Sequence, residues 1–523
     1  MEQESEGEPA ADAAIDLGAV AEKPWFNRRR SIRYRAVDLL SRWSNGRIRS
    51  PHYRGTEAFY RSKDAEENLE SRLTEGQRID TPGLWATEAY TPASAATLLR
   101  SLNKLTRNYN GLGDRDPADW VRRQRRRPGS SYHLYLVRPG KRRIPSSFEV
   151  ELPTFAAAAT ATIWSATASL TMITVAFELN DHARDRINDI LAKDQPTRLE
   201  RSGKRGMSIF TPELERRRLV GDVRSKWIAE TSTWFQSNFP GLFSSSGVDV
   251  PTCELSVVTG IRPFPDWNDD RGSRRDQEIL HALRASHADV FVPSDEADPG
   301  IFYAPFPESD ERRSRHAIVA MTREGYDGIE ADGWGDDNAS RFWAFDQSFR
   351  TVVAQWHIAR VLDLFNDRVA SVRDRFAELI GGSKAASALA KVRRDTADCA
   401  DAATIAREVE RGVDDASLAI YGAGLVLRAE SADGDRRTAV TALREALRFS
   451  SRRLAVDLTE LNSALHAQAA LLSAHANLRL QPAIIILAVV STIAGGIAAI
   501  EPIEKLFAHV PVTAVARSKA GPG

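Results

Sequence analysis

Residues 480–500 read LQPAIIILAVVSTIAGGIAAI, and this run contains no charged side chain. Arg479 precedes the run and Glu501 follows it. A helix of roughly 20 apolar residues is long enough to cross the hydrocarbon core of a bilayer, which is about 30 Å thick. The run therefore predicts one C-terminal transmembrane helix at 480–500, followed by a short tail at 501–523. The alternative is a buried core helix.

The rest of the sequence predicts how such a protein sits in the membrane. The first residues, MEQESEGEPAADAA, are acidic and contain no apolar core, so they do not form a secretory signal peptide. Cys253 and Cys399 are far apart, which is neither a disulfide framework nor a zinc motif and fits a reducing compartment. We therefore expect a single-pass membrane protein with the bulk of its chain in the cytoplasm and the lipid bilayer as a partner.

The composition is that of a globular protein. The chain has 523 residues, which exceeds one ordinary domain, so two or three domains are expected. Charged residues make up 27% of the sequence, and the formal net charge is +0. This balance argues against general disorder and against a simple nucleic-acid binder.

The N-terminal part changes the sign of its charge. Residues 1–23 are acidic and predict a disordered tail, whereas residues 24–129 are basic and predict a partly helical region. The favoured interpretation of the arginine-rich stretch is a solvated basic face whose apolar residues dock on the next domain. The alternative is contact with an anionic lipid surface, for which the candidate residues are Arg28, Arg29, Arg30, Arg33 and Arg35. Contact with nucleic-acid phosphates is the less favoured alternative.

Residues 130–325 alternate between strand and helix patterns and predict an α+β domain. A helix is expected at 181–193, and another begins at Thr211, with Pro212 in its first turn. Strands are expected at 132–137, 170–179 and 254–261, with weaker candidates at 288–292, 301–304 and 317–322. The uncharged stretch 154–177 is rich in Ala, Thr and Ser, so a second membrane span there is less favoured than a strand.

Residues 337–479 predict long antiparallel helices in a coiled-coil-like stalk. Apolar residues alternate at steps of four and three, which is typical of a helical seam. The first seam consists of Ile358, Leu362, Phe365, Val369, Val372, Phe376 and Leu379, and an upstream extension contains Phe342, Phe345, Phe349, Val352 and Trp356. The second seam consists of Leu454, Leu458, Leu461, Leu465, Gln468 and Leu472.

Small residues recur every four positions in the C-terminal apolar run. The two sets are Ser491, Gly495 and Ala499, and Ala488, Thr492 and Gly496. Small side chains at this spacing let two helices approach closely. Together with the seams, they predict a homo-oligomer that packs through this helix. The alternative is that small residues are simply common in such helices.

The sequence contains no motif that indicates catalysis or cofactor binding. HExxH, GxxxxGK[ST], GxGxxG and GxSxG are all absent. Asp266, Asn268 and Asp270 have the spacing of the first ligands of a calcium loop, but Arg271 stands where such a loop needs Gly, and Gln277 stands where it needs Glu. We therefore predict no catalytic, cofactor-binding or metal-ligating residue.

The order of the predicted parts resembles the CorA-type magnesium transporters. An α/β head, long helices and a C-terminal membrane helix follow one another over residues 130–505. Those transporters have two membrane helices and a Gly-Met-Asn motif at the end of the first. This chain has no Gly-Met-Asn, and Ile500 is followed by Glu501-Pro502-Ile503-Glu504. The resemblance is one of arrangement, and it implies a pathway for divalent cations without assigning any residue to it.

These observations together predict a membrane-anchored cytoplasmic sensor or scaffold that is oligomeric and non-enzymatic. One alternative is a CorA-like divalent cation transporter or channel-related protein. The other is an enzyme with an unrecognised site in the α+β domain.

Overall fold

The computed structural model describes residues 51–106, 116–124, 131–140, 147–202, 206–261, 273–283, 291–293, 301–304, 315–329, 335, 337–380, 385–414, 425–427 and 439–507. The last side chain that it describes is that of Thr492. The predictions for residues 1–23 lie outside the described residues.

The helices within these ranges are α1 (Pro51–Arg61), α2 (Asp64–Ser71), α3 (Ala95–Thr106), α4 (Pro117–Gln124), α5 (Asp181–Ala192), α6 (Pro212–Asn238), α7 (Leu242–Ser245), α8 (Ser273–Ala282), α9 (Arg323–Asp327), α10 (Asn338–Ile380), α11 (Ala385–Asp414) and α12 (Ala439–Phe507). The strands are β1 (Arg78–Tyr90), β2 (Ser131–Val137), β3 (Ser147–Glu149), β4 (Ala156–Ser165), β5 (Thr171–Leu179), β6 (Arg198–Ser202), β7 (Gly206–Phe210), β8 (Thr252–Thr259), β9 (Phe291–Pro293), β10 (Ile301–Ala304), β11 (His316–Thr322) and β12 (Leu425–Leu427).

Ten of these described strands form one mixed sheet in the order β12-β9-β10-β11-β8-β1-β5-β4-β2-β3. Neighbours are antiparallel except for β8 with β11 and β2 with β3, which are parallel. Strands β6 and β7 form a separate antiparallel pair. The body of the protein is therefore α+β with a mixed sheet.

Strand β1 lies at the centre of the sheet, between β8 and β5. Every residue of β1 after Arg78 is buried. Its register with β8 shifts between Asp80 and Gly83, and Pro82 lies within that irregularity. A bulge is a position in a strand that tolerates proline, because the ladder is locally interrupted there. The bulge thus accommodates Pro82 and Gly83 within a buried strand.

Helices pack on both faces of the sheet, so the body has three layers. On one face, Leu84 belongs to the same apolar cluster as Trp227 and Phe235 of α6. On the other face, Trp85 lies against Phe342 and the neighbouring aromatic residues of α10. Successive residues of a strand point to opposite faces, so β1 contributes to both cores.

Several predicted elements are confirmed. The strands expected at 132–137, 170–179, 254–261, 301–304 and 317–322 correspond to β2, β5, β8, β10 and β11. The helix expected at 181–193 corresponds to α5, which buries one face consisting of Ala183, Ile187, Ile190 and Leu191. Helix α6 begins after Thr211 with Pro212 in its first turn, although the Thr211 side chain makes no capping hydrogen bond. The second span considered at 154–177 is wrong, because β4 and β5 pair there as antiparallel strands.

The predicted transmembrane helix at 480–500 is also wrong. Among the residues that the structure describes, no helix has the length and apolar character needed to cross a membrane. The run instead continues α12, a helix of 69 residues that includes Pro482. The predictions of a membrane anchor and of a single-pass localisation are therefore wrong.

Candidate functional site

Helices α10, α11 and α12 pack together through a continuous apolar seam. From α12, Leu454, Leu458, Leu461 and Leu465 are buried, as the spacing of four and three predicts. From α10, the buried seam residues are Ile358, Leu362, Phe365, Val369 and Val372. From α11, they are Ala402, Ile405, Ala406, Val409 and Val413. All of these belong to one core cluster that also reaches the sheet, so the helices and the body share one core.

Polar contacts fix the register between α11 and α12. Arg407 donates to Thr459 Oγ1 at 3.0 Å, and Arg452 Nε donates to Glu410 Oε1 at 2.9 Å. Higher numbers in α11 thus pair with lower numbers in α12, which makes the two helices antiparallel. The pairs lie at the exposed edges of an apolar seam, so they specify alignment more than they add stability.

A second polar contact joins α11 to the sheet. The backbone N–H and the hydroxyl of Ser169 both donate to the carboxylate of Glu408, each at 2.9 Å. Ser169 lies in the turn between β4 and β5, and Glu408 lies on α11. The helical hairpin is therefore attached to the sheet at a defined point.

Beyond the hairpin, α12 presents apolar side chains to solvent. Ala469 is the last described residue of α12 that packs against the core cluster, and the helix continues to Phe507. The exposed apolar residues beyond it are Leu471, Leu478, Ile484, Ile485, Ile486, Leu487, Val489 and Val490. Each of them is between 51% and 70% exposed. We call the segment 484–492 the apolar tip.

Within the described part of the chain, large side chains of the apolar tip are exposed on all sides of the helix. Ile484, Ile485, Ile486 and Leu487 are consecutive, and each is more than 60% exposed. Consecutive residues of an α-helix are about 100° apart, so four of them point in all directions around the axis. A helix that is apolar all round is normally buried. The tip is thus an apolar surface that no described residue covers.

The small residues predicted for helix packing lie in this part of α12. The side chains of Ala488, Ser491 and Thr492 are exposed. The hydroxyl of Thr492 donates to the carbonyl of Ala488 at 2.8 Å, so its polar atom is satisfied within its own helix. Gly495, Gly496 and Ala499 lie on the same helix, but their surroundings are outside the described part. The predicted basic contact residues Arg28, Arg29, Arg30, Arg33 and Arg35 are also outside it.

The body contains a buried ionic network that the sequence did not reveal. Glu254 on β8 is fully buried and forms a two-point ion pair with Arg224 of α6, whose Nε lies 2.9 Å from Oε2. His316 Nε2 of β11 lies 3.0 Å from the same carboxylate. Burial alone would raise the pKa of Glu254, but Arg224 and His316 lower it to about 2. The carboxylate is therefore ionised and matched by its neighbours, as expected of a structural network.

Two further titratable groups are enclosed between the sheet and the helices. The Glu88 carboxylate accepts hydrogen bonds from the backbone N–H groups of Phe243 and Ser244 at 2.8 and 2.9 Å. Burial raises the pKa of Glu88, and these N–H groups oppose that change. His357 Nδ1 lies 2.6 Å from Thr87 Oγ1, and burial together with Arg360 lowers the pKa of His357 to about 3. Both side chains are closed to solvent, which makes them internal supports of the fold.

Local sequence did not indicate these networks because their members come from distant segments. Arg224 and Glu254 are 30 positions apart, and Thr87 and His357 are 270 positions apart. A useful signal would have been a charged residue inside an apolar strand, since Glu254 stands in the strand-like run ELSVVTGI. Comparison with family models, with curated proteins and with solved structures gives no match to this chain.

Proposed function

We propose that this protein is an oligomeric, non-enzymatic scaffold or sensor that assembles through the apolar tip of α12. The observation that carries the proposal is the exposure of consecutive large apolar residues at 484–487. Soluble monomers rarely expose contiguous apolar patches larger than a few hundred Å². Assembly removes this surface from water, and the hydrophobic effect supplies the driving force.

Further copies of this chain fit the apolar tip better than a charged partner does. Residues 480–500 contain no charged side chain, so the surface offers nothing for electrostatic recognition. Interfaces in permanent homo-oligomers are more apolar than those of transient complexes and resemble a domain core. The small residues Ala488 and Thr492, with the Thr492 hydroxyl already satisfied, allow close approach of a neighbouring helix. One partner helix covers only one side of the tip, so we expect more than two copies.

The continuity of α12 supports a role in transmitting a signal. The same helix forms the buried seam at Leu454–Leu465 and continues as the exposed tip, without an interruption at Pro482. The hairpin is attached to the sheet through Glu408 and Ser169. Binding of a ligand or partner to the body would therefore act on the assembly through a rigid connection.

The test is the mass of the full chain in solution. Light scattering coupled to gel filtration, over a tenfold range of concentration, is run on the wild type, on the double variant Ile485→Glu/Leu487→Glu and on Phe449→Ser. Phe449 is 67% exposed on the same helix but lies outside the tip, so it is the matched control. We expect a mass of at least three chains for the wild type and for Phe449→Ser, and one chain for the tip variant.

Two outcomes would overturn the proposal. In one, the wild type is a monomer throughout, which would mean that something other than this chain covers the tip. In the other, the tip variant keeps the wild-type mass, which would place the interface elsewhere. Circular dichroism checks that both variants retain the helical content of the wild type.

A further inference from the structure

Helices α2, α6 and α8 meet at the start of α6 and bring together side chains that can ligate metals. Glu213 lies in the first turn of α6, and Glu278 and His281 lie on α8. One ligand atom from each of these three residues lies within 4.8 Å of the others, and all three residues are partly buried. Glu278 and His281 are three positions apart, so they share one face of α8.

The donor set has the chemistry of a zinc-class cation. One imidazole nitrogen and two carboxylate oxygens suit Zn²⁺ and similar transition ions, whereas Mg²⁺ and Ca²⁺ prefer oxygen ligands alone. Zn²⁺ sites with three protein ligands leave a fourth position for water or for another group. The sequence alone did not indicate this set, because Glu213 is 65 positions from Glu278 and no short motif joins them.

Glu67 of α2 is a further carboxylate close to this set. Its Oε2 atom is shielded from solvent and accepts no hydrogen bond from any described residue, although the side chain as a whole is partly exposed. Glu67 and Glu213 are close enough to interact electrostatically, so Glu67 adds a further negative charge that a divalent cation would offset.

The geometry around His281 shows what binding requires. His281 Nδ1 lies 2.5 Å from Glu213 Oε1, so the two atoms share a hydrogen bond and its proton lies between them. Two ligands of a tetrahedral ion with bonds of about 2.0 Å are roughly 3 Å apart, so a small side-chain rotation replaces that proton with the metal. On the other side of the ring, an Arg217 guanidinium nitrogen lies 3.3 Å from Nε2. Coordination through Nδ1 places the ring proton on Nε2, so Arg217 must withdraw, and it competes with the metal.

We propose that Glu213, Glu278 and His281 form a binding site for a divalent cation of the zinc class, with Glu67 as an additional carboxylate beside it. Arg217 limits the affinity of this site. The site lies in the body of the protein and is separate from the apolar tip.

The test uses the full chain, freed of metal with a chelator and titrated with Zn²⁺ by calorimetry. We expect one equivalent to bind the wild type, and we expect His281→Ala and Glu278→Gln to lower the affinity at least about tenfold. Arg217→Gln should raise the affinity several-fold. His182→Ala, which removes an exposed histidine of α5, is the matched control and should bind as the wild type does.

A second readout identifies the ligands. Co²⁺ in place of Zn²⁺ should give the visible absorption of a four-coordinate site in the wild type and lose it in His281→Ala. Absence of stoichiometric binding in the wild type, or equal binding in His281→Ala, would overturn the proposal. Circular dichroism of the metal-free variants checks their folding. Repeating the measurement of oligomer mass in chelator keeps the two proposals separate. Failure of metal binding then leaves the assembly proposal intact, and failure of assembly leaves the metal site intact.

Discussion

Phe342 of α10 lies directly over the backbone of Gly83 in β1. A methyl group added at Gly83 would lie 2.0 Å from two carbons of the Phe342 ring, which is far inside van der Waals contact. Phe342 is completely buried and also contacts Trp85, with ring centroids 5.3 Å apart. The bulge in β1 and the packing of α10 on the sheet therefore both depend on Gly83, which has no side chain.

The first prediction follows from this contact. Gly83→Ala should destabilise the protein by about 3 kcal/mol, at the upper end of the range for overpacked cores, because neither the central strand nor the packed ring can move freely. Phe342→Leu should lose packing contacts, but the smaller side chain should leave space for a methyl group at position 83. The double variant should be more stable than the sum of the single changes implies, by at least about 1 kcal/mol. Urea unfolding of the four proteins measures this coupling, and simple additivity would contradict the contact.

The second prediction concerns the buried pair of Arg224 and Glu254. Glu254→Gln removes one charge and leaves the buried guanidinium uncompensated, which should cost about 3–5 kcal/mol in unfolding free energy. Replacing both residues, as in Arg224→Met/Glu254→Met, should cost less than Glu254→Gln alone, because no charge then remains buried. Chemical denaturation provides the comparison. A double variant less stable than Glu254→Gln would show that the pair contributes net stability.

The sequence predicted individual strands and seams better than it predicted their partners. Strand β5 and the face of α5 follow directly from residue type and spacing, because local burial determines both. Strand β1 lies in the stretch 24–129, for which the charge pattern predicts only a partly helical region. A Pro-Gly pair interrupts the strand pattern there, and the sheet uses this pair as a bulge. The spacing of the aromatic stripe from Phe342 to Trp356 predicts an extension of the coiled-coil seam. It packs on the sheet instead, since a spacing of four and three shows a buried face but not what buries it.

One of the two candidate sites could be located from the local sequence, and the other could not. The apolar tip could be located from composition alone, but composition did not distinguish a membrane span from an exposed helix. The residues Glu213, Glu278 and His281 could not be located, because the packing of α6 against α8 brings them together. Long-range packing is the information that a single sequence lacks.

The third prediction is a dependence of stability on pH that involves His357. The pKa of this buried imidazole is lowered to about 3 by burial and by Arg360, and the ordinary value in the unfolded chain is 6.5. The unfolded chain therefore binds a proton between these values and the folded protein does not. Stability should fall as pH decreases from 6.5 toward 3, by about 1.4 kcal/mol per pH unit at most for this group.

The measurement for His357 is urea unfolding between pH 5 and 6.5, where most carboxylates remain ionised. His357→Gln should be less stable at neutral pH, because it disturbs the contact with Thr87, and its stability should depend less on pH. His182→Gln, at an exposed position, should keep the dependence of the wild type. If the unfolding free energy of His357→Gln depends on pH as strongly as that of the wild type, other groups produce the pH dependence.

The fourth prediction links the apolar tip to thermal stability. If copies of the chain associate through residues 484–492, folding and assembly are coupled, and the melting temperature should rise with protein concentration. Ile485→Glu places a charge in the proposed interface and should remove this dependence while leaving the body folded. Phe449→Ser, on the same helix outside the tip, should retain it. Calorimetry at three concentrations separates the cases. A concentration-dependent melting temperature in Ile485→Glu would place the interface on another surface, whereas its loss would connect the exposed residues of α12 to the assembly.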